Sequence, residues 1–364
     1  SNLFEDLGFK YLGPIDGHNL DELTEALMVA KMMQRPCLVH IYTKKGKGYA
    51  PAEDNSGEYH GLPPKKDDDN NCKGECFTDA FGKALLSFAD NDNSIYAVTA
   101  AMKYGTGLQH FYKAFPERFF DVGIAEQHAV TFSAGLASQG KLPVFAVYSS
   151  FLQRSYDQLI HDCAIEKRHI VLGIDRAGFV GEDGETHHGL FDVAMLTTVP
   201  GVTVYSPSDT AELSQCLEQA LYKDKGVVAV RYPRGCELYR SGTKAYSDFR
   251  HVSNKSRKLI FTYGRISAYA YTIHGVDVLQ AIKIFPIADE IINICLAYDE
   301  IYAFEEGERE GGIAQKLCTA LALAGYKGRF TITAVDGFVR HADVATQLHN
   351  AMLDADGMRK ITGE

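Results

Sequence analysis

Three segments of the 364-residue sequence hold residue types that do chemistry, each just after an apolar run. In Asp121-Val-Gly-Ile-Ala-Glu126-Gln127-His128 a carboxylate stands among Ile124 and Ala125. Desolvation there should raise its pKa, so that it holds a proton and shares it with a ring nitrogen. The plain alternative is a glutamate at a helix N-terminus, stabilised by the helix dipole. In Tyr148-Ser-Ser-Phe151-Leu-Gln-Arg154 an aromatic and a guanidinium lie one helical turn apart, able to stack on a ring and pair an acid. On spacing alone, a core Phe and a solvated Arg is the better reading. The third segment is Asp175-Arg176-Ala-Gly-Phe-Val-Gly-Glu-Asp183-Gly-Glu-Thr-His187-His188, a glycine-rich loop with an acid and paired histidines. Its glycines let backbone approach a ligand, and histidine titrates near neutrality.

Two further loops are candidates for anion binding. Arg234, in Arg231-Tyr-Pro-Arg234-Gly235, sits in a Pro-Gly turn that suits phosphate recognition. Lys44-Lys45-Gly46-Lys47-Gly48-Tyr49 is basic and punctuated by glycine, fit either to cradle a phosphate or to be an ordinary lysine-rich turn. Cys72 and Cys76 are the closest cysteine pair, but no further ligands follow at zinc spacing, so no metal site is expected there.

Elements that position these residues are legible as short apolar, β-rich runs alternating with helical stretches. Strands are expected at Cys37–Thr43, Ile95–Thr99, Phe119–Val122, Val144–Tyr148, Ile170–Ile174, Val202–Tyr205, Val227–Tyr232, Leu259–Tyr263, Tyr302–Glu305 and Thr331–Val335. Helices are expected at Leu20–Met33, Phe77–Ala89, Gln127–Ser138, Phe151–Ile165, Ala211–Tyr222 and Gly312–Ala324. Near-continuous apolar strands alternating with helices imply an α/β fold with parallel sheets covered on both faces. Two polar stretches, 51–75 and 236–257, break the rhythm. They divide the chain into a stub with linker (1–75), a central α/β domain (76–236), a linker (237–256) and a smaller α/β domain (257–364). The stub, with one helix and one good strand, reads as the tail of a domain that begins upstream, and Ser1-Asn2 reads as a tag remnant.

Composition narrows the partners. With 46% hydrophobic and 23% charged residues the chain is an ordinary globular one. Its net charge of −10 argues against nucleic acid or an anionic membrane, which need a broad basic face, though not against a small anion held by a few arginines. No apolar run approaches the roughly 18–20 residues of a membrane span, and no signal peptide is evident. Scattered cysteines in apolar stretches favour the cytosol.

The order of motifs is more specific than any one of them. Gly-Pro-Ile-Asp16-Gly-His18, Lys45-Gly-Lys-Gly-Tyr49, Tyr59-His60-Gly, Gly-Ile-Ala-Glu126-Gln-His-Ala, Phe151-Leu-Gln-Arg154, Asp183-Gly-Glu-Thr-His187 and Arg231-Tyr-Pro-Arg234-Gly together resemble the 1-deoxy-D-xylulose-5-phosphate synthases, closely from about Phe4 to Gly235 and more loosely beyond. The resemblance implies a thiamine-diphosphate enzyme with the cofactor's pyrimidine held by the central domain. That domain is followed by a transketolase C-terminal-type domain and preceded by the tail of a diphosphate-binding domain. It implies that Glu126 hydrogen-bonds the pyrimidine N1′, favouring the tautomer that removes the thiazolium C2 proton. Phe151 would pack on the pyrimidine, Lys45 and Tyr49 would lie near the thiazolium and diphosphate, and His60 beside the reactive carbon. The reaction implied joins pyruvate to glyceraldehyde 3-phosphate with loss of carbon dioxide, for isoprenoid, thiamine and pyridoxal synthesis. Tyr148, Arg154, Asp183 and His187 would line the substrate channel, with His187 and Asp183 near the pyruvate-derived adduct; Arg176 and Arg234 would hold the aldehyde's phosphate. The Mg²⁺-binding Gly-Asp-Gly…Asn segment of the family is expected upstream of Ser1, and a homodimer is expected. The stretch Glu305–Gly312 departs from the family's Gly-Gly-Ala-Gly turn, as does 337–352. Rival readings are the β subunit of a 2-oxoacid dehydrogenase, which the stub disfavours, and a non-catalytic dimerisation or regulatory module, which has no need of this residue set.

Overall fold

The protein's structure, a computed structural model, describes residues 2–57, 59, 74–240, 242 and 245–364. It divides into two compact units, residues 1–70 and 71–364.

In the first unit, strand β1 (Lys10–Asp16) pairs in parallel with β2 (Cys37–Tyr42), and helix α1 (Leu20–Met32) crosses between them. Asn19 caps α1 through the Glu22 amide, leaving fewer orphan donors in its first turn. The stub therefore has two strands rather than one. β1 escapes the sequence pattern because Gly13-Pro14 interrupts it, at the point where the ladder register shifts.

The second unit holds two sheets. Seven strands lie in the order β12-β7-β8-β6-β5-β3-β4: β3 Ile95–Thr99, β4 Phe119–Asp121, β5 Leu142–Tyr148, β6 Ile170–Asp175, β7 Thr203–Tyr205, β8 Val227–Arg231 and β12 Lys283–Phe285. All neighbours are parallel except β12, which joins β7 antiparallel. The central strands β5, β6 and β8 are buried almost throughout, as strands covered on both faces must be. Helices α2 (Phe77–Asn91), α3 (Glu126–Ser138) and α4 (Thr210–Tyr222) belong to this layer, α4 capped by Asp209 on the Glu212 amide.

Five strands form the other sheet, in the order β14-β13-β10-β11-β9: β9 Phe249–Val252, β10 Lys258–Tyr263, β11 Asp277–Ala281, β13 Glu300–Glu308 and β14 Arg329–Val335. Helix α5 (Ile313–Leu323) follows β13. β9 lies within the stretch read as a linker, antiparallel to β11. Its residues, Phe-Arg-His-Val, carry too short an apolar alternation to signal a strand. Because β12 follows β11 after a single residue yet pairs in the other sheet, the two layers are sewn together. One apolar core runs through both, with Phe145, Ile174 and Val204 from one sheet and Phe261, Leu279 and Ala303 from the other.

Segment 151–165, expected as one helix, is instead a chain of short α, 3-10 and π turns. Apolar residues three and four apart fit a succession of short α and 3-10 turns as well as one continuous helix, so the spacing does not tell them apart.

Candidate active site

Open parallel sheets collect ligands outside the carboxyl ends of their strands. β5 ends at Tyr148 and β6 at Asp175, paired across the ladder, and β8 ends at Arg231, three residues before Arg234. From these ends a single cluster is built. The Arg176 guanidinium lies 3.7 Å from the Tyr148 ring centroid. It donates from Nε to Asp183 Oδ2 at 2.8 Å and from Nη1 to the Gly105 carbonyl at 3.2 Å. Arg234 reaches the other oxygen of the same carboxylate, Nη1 to Oδ1, at 2.8 Å, and also donates to the Val180 carbonyl at 3.1 Å. Phe151 packs 5.6 Å from Tyr148 and edge-on to His187 at 5.2 Å, measured between ring centroids. Thr186 Oγ1 lies 2.9 Å from His187 Nδ1. Burial pushes the Tyr148 hydroxyl's pKa up, so the phenol stays protonated beside its arginine.

Two backbone features make this packing possible. Arg176 has φ +61°, a left-handed conformation uncommon outside glycine, which turns the chain sharply as β6 ends. Gly105 has no room for a side chain, since a Cβ there would stand 1.6 Å from the Tyr148 hydroxyl.

Glu126 opens α3, only 2% exposed, and its Oε2 accepts from Arg154 Nη1 at 3.1 Å. The Arg154 side chain is 54% exposed, so the pair joins a buried acid to a solvent-facing cation. A buried carboxylate of this kind fits a flat heteroaromatic ring with a protonatable nitrogen. The hydroxyls of Ser149, Ser150 and Ser155, on the segment carrying Phe151, are also buried without a hydrogen-bond partner among the described residues.

In the first unit, Lys45 lies in the loop after β2, and Tyr49, 55% exposed, precedes a short helix and meets the Tyr59 ring edge-on at 5.6 Å. His60 lies outside the described residues. Here the two family-like motifs meet: the Lys44 amide donates to His18 Nε2 at 2.8 Å, and Asp16 Oδ1 accepts from the His18 amide at 2.9 Å.

Sequence reasoning passed over the residues that hold the cluster in place. Arg231 is not a ligand candidate but the buried partner of Asp192, with Nε–Oδ2 2.8 Å and Nη2–Oδ1 3.2 Å. Arg265 and Glu306, both from the part of the chain that departs from the family pattern, form a second buried pair. Glu306 Oε1 accepts from the Phe179 amide at 2.8 Å, while Arg265 donates to the carbonyls of Phe179 at 2.9 Å and Arg234 at 3.2 Å. Gln347 Oε1 accepts from the Gly181 amide at 3.3 Å. The smaller layer thus clamps the loop bearing Arg176 and Asp183. An acid doublet in the middle of the apolar run of β13, Glu305-Glu306, is the signal by which it was findable. Among the described residues no cluster of His, Cys, Asp and Glu could hold a metal ion, and no helix is long and apolar enough to cross a membrane.

A family profile described as "Transketolase, pyrimidine binding domain" matches residues 76–237, and one described as "1-deoxy-D-xylulose-5-phosphate synthase" matches residues 1–43. The 1-deoxy-D-xylulose-5-phosphate synthase of Clostridium kluyveri is 49% identical over 278 residues, which cover 73% of this chain and 44% of that protein. The synthase of Brevibacillus brevis is 41% identical over 377 residues, 97% of this chain and 59% of that protein. The chain therefore spans about half the length of these relatives. Among solved structures, a split-gene transketolase described as an inactive beta4 tetramer aligns with TM-score 0.68 at 23% identity, over 78% of this chain and 96% of its own. Transketolase from Campylobacter jejuni aligns with TM-score 0.65 at 15% identity, over 99% of this chain and 68% of its own. These likenesses show a transketolase-like α/β fold.

Proposed function

The chain belongs to the 1-deoxy-D-xylulose-5-phosphate synthase family, and from that premise we propose that it carries the pyrimidine-side and acceptor-side residues of an enzyme joining pyruvate to glyceraldehyde 3-phosphate with loss of carbon dioxide. The observation that carries this reading is the convergence of Arg176 and Arg234 on one carboxylate beside Tyr148, Phe151 and His187. Two guanidiniums that share a carboxylate at hydrogen-bond distance are spaced to share a phosphate, which offers more charge and a third oxygen.

Thiamine diphosphate, when bound, supplies the electron sink that decarboxylation of a 2-oxoacid requires. Toward it, Glu126 would hydrogen-bond the pyrimidine nitrogen through a carboxylate oxygen, and Arg154 would orient that carboxylate. Phe151 offers a ring face and excludes water. Lys45 and Tyr49 are assigned to the diphosphate and thiazolium side, and His60 to the reacting carbon. His187 and Asp183 are assigned to the pyruvate-derived portion, and the His187 ring offers a nitrogen that can move a proton there. Arg176 and Arg234 bind the acceptor's phosphate. The magnesium ion implied by the resemblance is assigned no ligands in this chain, and a homodimer is the assembly proposed. The profile match over residues 1–43 favours this reading over a 2-oxoacid dehydrogenase β subunit.

The test is a two-substrate assay on the holoenzyme. Carbon dioxide from pyruvate should accompany a phosphorylated five-carbon ketose when glyceraldehyde 3-phosphate is present, and Glu126→Gln should lower kcat by about 100-fold or more. Absence of the ketose would overturn the reading.

A further inference from the structure

One acid at the site has no place in the chemistry above. Asp175 ends β6, wholly buried, immediately before Arg176. Its Oδ2 accepts from the Thr78 hydroxyl of α2 at 2.7 Å. Its Oδ1 has no hydrogen-bond partner among the described residues, and neither has the buried Tyr232 hydroxyl just beyond β8. Unpartnered buried oxygens of this kind are rare and need a reason.

The charges around Asp175 supply one. Burial raises its pKa, to about 7, while Arg176, the Thr78 hydroxyl, the Arg176 amide and Arg234 pull the other way. Tyr148, its ladder partner on β5, and Tyr232 both have raised pKa values through burial and remain neutral. Asp183, the other acid in the cluster, is bound to both arginines. The positive charges facing Asp175 are thus the two guanidiniums assigned to the acceptor's phosphate. A dianion settling on them cancels the field that keeps Asp175 ionised, and its proton affinity rises. Linkage is reciprocal: a protonated Asp175 removes one negative charge from behind the arginines and tightens their hold on the dianion.

We propose that Asp175 is a positioning residue that takes up a proton from solvent at Oδ1 when a phosphate ester dianion binds Arg176 and Arg234. Binding of the acceptor is thereby made pH-dependent. The inference rests on the assignment of those arginines to the acceptor's phosphate.

Steady-state kinetics of the holoenzyme between pH 7 and 9 tests it, because a phosphate ester, with its second pKa near ~6, stays dianionic there. For wild type, KM for glyceraldehyde 3-phosphate should rise with pH, by up to about tenfold per unit that binding shifts the Asp175 pKa. KM for unphosphorylated glyceraldehyde should stay flat. Asp175→Asn, a neutral isostere, should abolish the rise and hold KM near its low-pH value. Thr78→Val removes a hydrogen bond that favours the carboxylate, so the rise should begin at higher pH. A merely structural role would move neither slope nor onset. If Arg234→Ala leaves KM for glyceraldehyde 3-phosphate unchanged, the phosphate assignment itself fails. If Arg234→Ala weakens it while Asp175→Asn keeps the wild-type slope, only the proton coupling is overturned. Should Asp175→Asn not fold, an onset in Thr78→Val identical to wild type overturns the coupling just as directly.

Discussion

Glu306→Ala probes the clamp from the smaller layer, and its cost is worked from the contacts removed. Glu306 is 6% exposed and carries two charge-assisted bonds from Arg265 and one from the Phe179 amide. Without it, Arg265 remains a buried cation held by two carbonyls, those of Phe179 and Arg234. Removing one partner of a buried pair costs about 3–5 kcal/mol, because the remaining charge stays desolvated. Urea unfolding should therefore show a lower midpoint at an unchanged m-value. Because Arg265 also holds the Arg234 carbonyl, KM for glyceraldehyde 3-phosphate should rise in the same variant. An Ala exchange in the exposed Arg257–Asp299 pair should leave both curves in place. A Glu306→Ala loss below ~1 kcal/mol, as for a surface pair, would refute the clamp.

Three further outcomes follow from the geometry. Gly105→Ala forces a Cβ into the Tyr148 hydroxyl and should lower kcat/KM for both substrates by about tenfold or more, since displacement of Tyr148 also frees Arg176; wild-type kinetics would show that the ring is dispensable. Arg154→Met should reduce kcat by about tenfold to a hundredfold through loss of the charge-assisted bond to Glu126, with little change in unfolding because the Arg154 side chain is half exposed. His188 Nδ1 accepts from the Val180 amide, and burial lowers its pKa below the ordinary 6.5. The unfolded chain then binds the proton more readily, so stability should be level above pH 6.5 and fall as pH drops below it; His188→Gln should flatten that decline in a pH series of urea unfolding.

The frame of this fold was legible wherever apolar runs were long. Ile95–Thr99 needed no adjustment, and β5, β6, β8 and β10 moved by no more than two residues at any end. What escaped were strands whose pattern is short or broken: β1 with its Gly-Pro, β9, and the neighbours β11 and β12, of which β11 lies inside its sheet. Such strands owe their place to partners far away in sequence, which local periodicity does not encode. At the site, Arg176, Asp183, His187 and Arg234 stood out because charged groups and glycines after strand ends are conspicuous in sequence. Thr78, Asp175, Gly105, Arg265 and Glu306 did not, because each acts through burial or through a contact across the fold. Arg231 and Arg234 share one motif, yet one is locked on Asp192 inside the core and the other faces the cluster.

The central claim is that this chain recognises a phosphorylated acceptor through Arg234 and Arg176, and Arg234→Ala in the holoenzyme tests it most directly. A charge-assisted contact to a bound phosphate contributes about 1.5–3 kcal/mol. The variant should therefore lose about tenfold to a hundredfold in kcat/KM for glyceraldehyde 3-phosphate, with activity toward unphosphorylated glyceraldehyde and affinity for pyruvate barely changed. Equal losses toward both aldehydes would contradict the claim and leave Arg234 a structural partner of Asp183.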